Sequence, residues 1–122
     1  MATLTPTLAL TSTDATSDSL SFSVTDTLTI GDLVTQTIVA TSTTATKFLE
    51  ADDYTDSYVS LHNKSTNVAE DIYIRFGATS ADDALSLDAG EFAFFPWAAD
   101  LDICYDAASG TPSLEVKVFQ KN

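Results

Sequence analysis

From residue 20 to residue 30 every even position is apolar except Asp26 (Leu20, Phe22, Val24, Leu28, Ile30), and every odd position from 19 to 29 is Ser or Thr. Period two gives each face of a strand its own residue type, whereas a helix would scatter the same apolar residues around its axis. Asp26 predicts a turn or bulge that splits the run into two short strands. Gly31-Asp32 reads as the next break, and residues 33–40 as a further strand. Upstream, Leu4, Leu8 and Leu10 with Pro6 look extended, but residues 11–19 are polar without period. Proline has no N–H for a central strand. Residues 1–18 are therefore expected to be an arm or edge strand, and residues 19–122 one β-sandwich domain.

Beyond Thr41 the apolar runs are short and closely spaced. Strands are expected at 58–62, 71–76, 91–95, 101–105 and 114–119, and Lys47-Phe48-Leu49 leads into an acidic loop. Clusters rich in Gly, Asn, Asp, Ser and Pro separate them at 63–67, 77–83, 88–90 and 107–112. Only residues 80–85 suit a helical turn. The pattern predicts an all-β fold, an antiparallel β-sandwich or jelly-roll-like barrel of about eight strands with an extended N-terminal arm. The expected core is Phe22, Val24, Leu28, Ile38, Val59, Leu61, Ile72, Ile74, Phe92, Phe94, Ile103, Val116 and Val118.

Composition narrows the function. The 122 residues suit a single domain, and 44% apolar content suffices for a core. Eighteen acidic against five basic residues leave a formal charge of −13, and the first basic residue is Lys47. Such a chain is repelled by nucleic-acid phosphates and anionic lipid, so neither is an expected partner. No apolar run is long enough to span a membrane. The opening Met1-Ala2-Thr3-Leu4-Thr5 has no basic residue before an apolar run, which argues against a secretory signal and for synthesis in the cytoplasm.

No catalytic constellation emerges. His62 is the single histidine, there is no G-x-S-x-G, and Cys104 lies in a β pattern beside acids with no cation nearby in sequence, as a structural thiol would. Asp52-Asp53 and Asp82-Asp83 are adjacent acids in polar loops. Three acidic loops (Asp52, Asp53, Asp56; Asp82, Asp83; Asp100, Asp102, Asp106) lack EF-hand spacing, so no calcium or other cofactor is expected. Asn63-Lys64-Ser65 fits the N-glycosylation pattern but reads as a turn. Phe94-Phe95-Pro96-Trp97 places Phe92 and Phe94 on one face and Phe95 on the other. A strand apolar on both faces suits cover by another chain. Leu4, Leu8, Leu10, Phe95 and Trp97 are the expected partner contacts. Sugar stacking on Tyr54, Tyr58, Tyr73, Trp97 or Tyr105 is the competing use of this surface.

Four segments carry a family likeness: TSTTATK at 41–47, the strand ending in Asn63-Lys64, the strand ending in Phe76-Gly77, and Ala89-Gly90-Glu91-Phe92 followed by Pro96. Over residues 35–119 this scheme resembles small virion proteins of tailed bacteriophages, particularly those of cyanobacterial and marine hosts. The resemblance implies a non-enzymatic structural protein of a virion. Weighed with the acidic charge and the apolar arm, it leads to a capsid decoration (cement) protein on the capsid exterior. The expected partners are the major capsid protein and further copies of the chain, as a homotrimer at a symmetry axis. A tail or fibre component and a carbohydrate-binding module are the alternatives.

Overall fold

The computed structural model describes residues 2–14, 20–39 and 44–122. Eleven strands form among them: β1 (Ala2–Leu4), β2 (Thr7–Ser12), β3 (Leu20–Thr25), β4 (Leu28–Val39), β5 (Thr46–Leu49), β6 (Ser57–Asn63), β7 (Ile72–Phe76), β8 (Leu85–Leu87), β9 (Phe92–Trp97), β10 (Ile103–Ala107) and β11 (Ser113–Lys121). One turn of 3₁₀ helix, Ala51–Asp53, is the only helical element among the described residues. Strand formation follows the alternation. In β6, Val59 and Leu61 point inward while Tyr58, Ser60 and His62 point out; in β11, Leu114, Val116 and Val118 are buried between Glu115, Lys117 and Phe119.

The strands from β4 to β11 pair as a nested set: β4 with β11, β5 with β10, β6 with β9, β7 with β8, all antiparallel. Two further pairings, β11 with β6 and β10 with β7, roll this ribbon into two facing sheets. Their orders, β4-β11-β6-β9 (extended by β1) and β5-β10-β7-β8, are the strand arrangement of a jelly roll. Between the sheets lie Leu49, Val59, Leu61, Ile72, Ile74, Ile103, Leu114, Val116 and Val118, none of which exposes any surface. The sandwich expected from the alternation is therefore present.

Its entry differs from expectation. Gly31-Asp32 is no break, because β4 runs through it as one strand. Pairing with β11 instead slips there: Asp32 faces Gln120 and Ile30 faces Lys121, leaving Gly31 as an extra residue. Asp26 does divide the run, lying between β3 and β4. β3 pairs only with β2, whereas β1 joins the edge of the five-stranded sheet. Phe22 and Val24, expected in the core, are exposed on the arm, and Phe92 and Phe94 lie on the outer side of β9. The 80–85 helical turn does not form; Leu85 opens β8.

Asn63 fastens one end of the sandwich. Its fully buried side chain donates from Nδ2 to the carbonyls of Glu70 (2.9 Å) and Leu87 (3.0 Å), and Oδ1 accepts from the Ser65 N–H (3.0 Å). Both amide hydrogens are engaged, so the apparent glycosylation motif is a structural turn. Substitutions report this architecture in chemical denaturation. Leu61→Ala should cost about 2–5 kcal/mol as a core cavity, and Asn63→Ala about 1–3 kcal/mol through orphaned carbonyls. Leu33→Ala, on the outer face, should stay within about 0.5 kcal/mol.

Candidate functional site

The arm is a continuation of the sheet. From Ala2↔Ile30 through Leu4↔Leu28 to Leu8↔Val24 and Ser12↔Leu20 the partners keep one constant register. β1–β2 and β3–β4 thus make one two-stranded ribbon, interrupted at Pro6 and Asp26. There the Asp26 N–H donates to the Pro6 carbonyl (3.1 Å), and the Asp26 carboxylate accepts from the Thr27 N–H (2.7 Å).

Directly opposed residues of an antiparallel pair share a face. One face of the outer ribbon therefore carries Leu8, Leu10, Leu20, Phe22 and Val24. The other carries Thr7, Ala9, Thr11, Ser21, Ser23 and Thr25, with the hydroxyls of Thr7 and Thr25 hydrogen-bonded at 3.0 Å. The five apolar residues remain 41–51% exposed, since β2 and β3 pair with no other strand. The slip at Gly31 explains why this face is not in the core. One extra residue exchanges the two faces of a strand, so Leu28 and the ribbon residues in register with it lie on the side opposite Val34 and Ile38.

That side is the outer face of the five-stranded sheet. Tyr58 and Phe94 stack there with ring centroids 5.8 Å apart and planes 2° from parallel; Phe119 lies 6.5 Å from Phe94. The Lys121 ammonium sits 4.7 Å from the Tyr58 ring centroid, and Phe92, at the edge, is 71% exposed. Between this face and the base of the ribbon runs a groove of about 670 Å³, walled by Leu4, Pro6, Leu8, Val24 and Leu28 opposite Tyr58, Phe92, Phe94 and Phe119.

The outer face of the four-stranded sheet is closed instead. Arg75 holds the 77–84 segment over it, donating from Nε to Asp83 (2.8 Å), from Nη1 to the Thr79 carbonyl (2.7 Å) and from Nη2 to Asp106 (3.2 Å). Beneath lies buried Cys104, whose thiol donates to the Gly77 carbonyl at 3.5 Å. Burial raises the Cys104 pKa, with the Asp102 charge adding to it, so the group stays a thiol as the sequence suggested. Burial also raises the Asp106 pKa, against the pull of Arg75.

Of the expected contacts, Leu8 and Leu10 lie on the open ribbon face and Leu4 walls the groove. Phe95 and Trp97 do not belong to this surface. β6 pins the register of β9, pairing Val59 with Phe95 and Ser57 with Trp97, so both turn inward. Phe95 meets Phe76 edge-on at 5.6 Å, and Trp97, only 5% exposed, donates its indole N–H to the Leu101 carbonyl (2.9 Å). Burial of Trp97 and Tyr105 also removes two of the aromatic platforms suggested for sugar stacking. The sequence reading assigned Phe22 and Val24 to the core, did not single out Leu20 or Phe119, and named Phe92 and Phe94 both as core and as one face of a strand suited to cover by another chain. Their alternation was visible, but its side was not.

Among the described residues no three His, Cys, Asp or Glu side chains converge to hold a metal ion. The acidic residues have other work: Asp102 accepts from the Ala51 N–H (2.7 Å) and pairs with Lys47 (2.9 Å), joining β5, the 3₁₀ turn and the entry to β10. The Ala51 N–H first, and Lys47 with it, hold the Asp102 pKa below its ordinary 3.8. A depressed folded pKa contributes stability that is complete above the unfolded value and disappears as pH falls through the folded one. Asp102→Asn should therefore lower the melting temperature at pH 7, and the gap from wild type should close as melts are repeated below about pH 4.

No protein-family model matches this chain, and no curated protein matches it either.

Proposed function

We propose that this chain is a non-enzymatic structural protein of a bacteriophage virion: a capsid decoration (cement) protein that bridges major capsid subunits on the outside of the head, as a homotrimer. The observation carrying this reading is the ribbon, a two-stranded arm whose apolar residues stay 41–51% exposed. An isolated hairpin is marginal in water, and an apolar patch of this kind marks a place where another surface docks. Attachment then comes from burial, with about 1,200–2,000 Å² in a standard contact, repeated across a lattice so that individually weak contacts add through multivalency. A coat on the outside of a DNA-filled shell needs no basic charge, and a charge of −13 keeps the free protein dispersed at high copy number. The jelly roll accords with this by analogy, since capsid domains are among its common uses.

Copy number and position test the reading. Electron cryo-microscopy and quantitative mass spectrometry of particles from the phage encoding this chain should find it repeated over the head. Particles lacking it should lose infectivity sooner on heating or osmotic shock. A few copies confined to one vertex would instead make it a tail or fibre component.

A further inference from the structure

The ribbon and the groove are two halves of one contact that a single chain does not complete. Leu8 and Val24, nearest the sandwich, wall the groove; Leu10, Leu20 and Phe22, further out, lie outside its lining. Beyond the Asp26–Pro6 link, β2 and β3 pair only with each other. We propose that the occupant of the groove is the ribbon of a second copy of this chain, whose Leu10, Leu20 and Phe22 seat against Phe94, Phe119 and Leu28.

Two observations favour a second copy. The groove, at about 670 Å³, is lined mainly by apolar side chains and has room for several large ones. The exposed parts of the ribbon face, Phe92 and Phe94 amount to roughly 600–700 Å² per chain, close to the ~800 Å² each partner gives to a stable contact. Such a contact joins two different patches, so it is heterologous; it closes as a dimer by reciprocal exchange, or as a ring where the rotation between copies allows. It holds whether or not the protein decorates a capsid, and purified protein tests it.

Sedimentation equilibrium of the full chain at micromolar concentration should give a closed oligomer well above the 13.0 kDa of one copy. Leu10→Asp with Phe22→Asp alters only ribbon side chains and should weaken self-association by roughly a hundredfold or more. Phe92→Asp with Phe94→Asp, on the sheet face, should do the same. Mixing the two variants should restore a heterodimer, because one supplies an intact groove and the other an intact ribbon. A wild-type chain that stays monomeric, variants that remain fully associated, or a mixture that does not associate would each overturn the proposal. Should either variant unfold, hydrogen exchange on the wild type decides. Ribbon amides should be protected at high protein concentration and lose that protection on dilution, and protection independent of concentration would refute the exchange.

Discussion

A strand can offer only every second side chain to the sheet that faces it, and the whole molecule follows from where that alternation is kept and where it is shifted. From Asp32 to Val39 β4 is in step with β11, and Val34 and Ile38 join the core. One residue too many at Gly31 puts everything upstream out of step. The same apolar and hydroxyl alternation then continues through β3, but its apolar side faces water. The slip moves no backbone pairing off the sheet; it changes which solvent the side chains meet. By the ordinary scale of apolar burial, about 25 cal/mol per Å², the uncovered ribbon is a store of association energy.

This explains what could be read from the sequence. Alternation located β6, β7, β9, β10 and β11 to within a residue or two and predicted a sandwich, because period two survives in any register. It does not say which face is inside. For residues 20–30 the pattern was read correctly as strands split at Asp26, yet Phe22 and Val24 were assigned to a core that the Gly31 slip denies them. β9 is ambiguous for another reason. Phe92, Phe94, Phe95 and Trp97 make both of its faces apolar, so the choice passes to its neighbour. The polar alternation of β6, with Ser57, Val59 and Leu61 turned inward, fixes it. The nested pairing order was not legible either, since it depends on contacts between residues far apart in the chain.

Charge reinforces the asymmetry of the two sheet faces. Arg75 draws Asp83, Asp106 and the Thr79 carbonyl over the four-stranded sheet, and Lys47 ties Asp102 to its edge strand. Two of the five basic residues are thus committed to closing one side of the sandwich. The opposite face keeps its aromatics open, with the ribbon base arched above them. The two lysines beside these aromatics are matched by acids, Lys117 by Glu115 at 3.6 Å and Lys121 by Asp56 at 3.9 Å. Net repulsion is therefore spread around the molecule while its adhesive surface stays nearly neutral, an arrangement that salt would favour by screening the former and sparing the latter.

The sheet edges decide what kind of association such a surface permits. β1 and β8 are three residues long, β5 is four, and β9 carries Pro96, which has no N–H to offer an incoming strand. Among the described residues, longer runs of unpaired backbone are left on the flank of β4 beyond β1 and on the outer edges of β2 and β3. Strand addition is thereby blunted at β5, β8 and β9, and the larger apolar area lies on faces. Contact between faces has a fixed size and a fixed complement of side chains, so it saturates once the ribbon is seated. A chain this rich in β-structure and exposed leucine therefore depends on that face contact closing on itself, because β2, β3 and β4 still offer edges to an incoming strand.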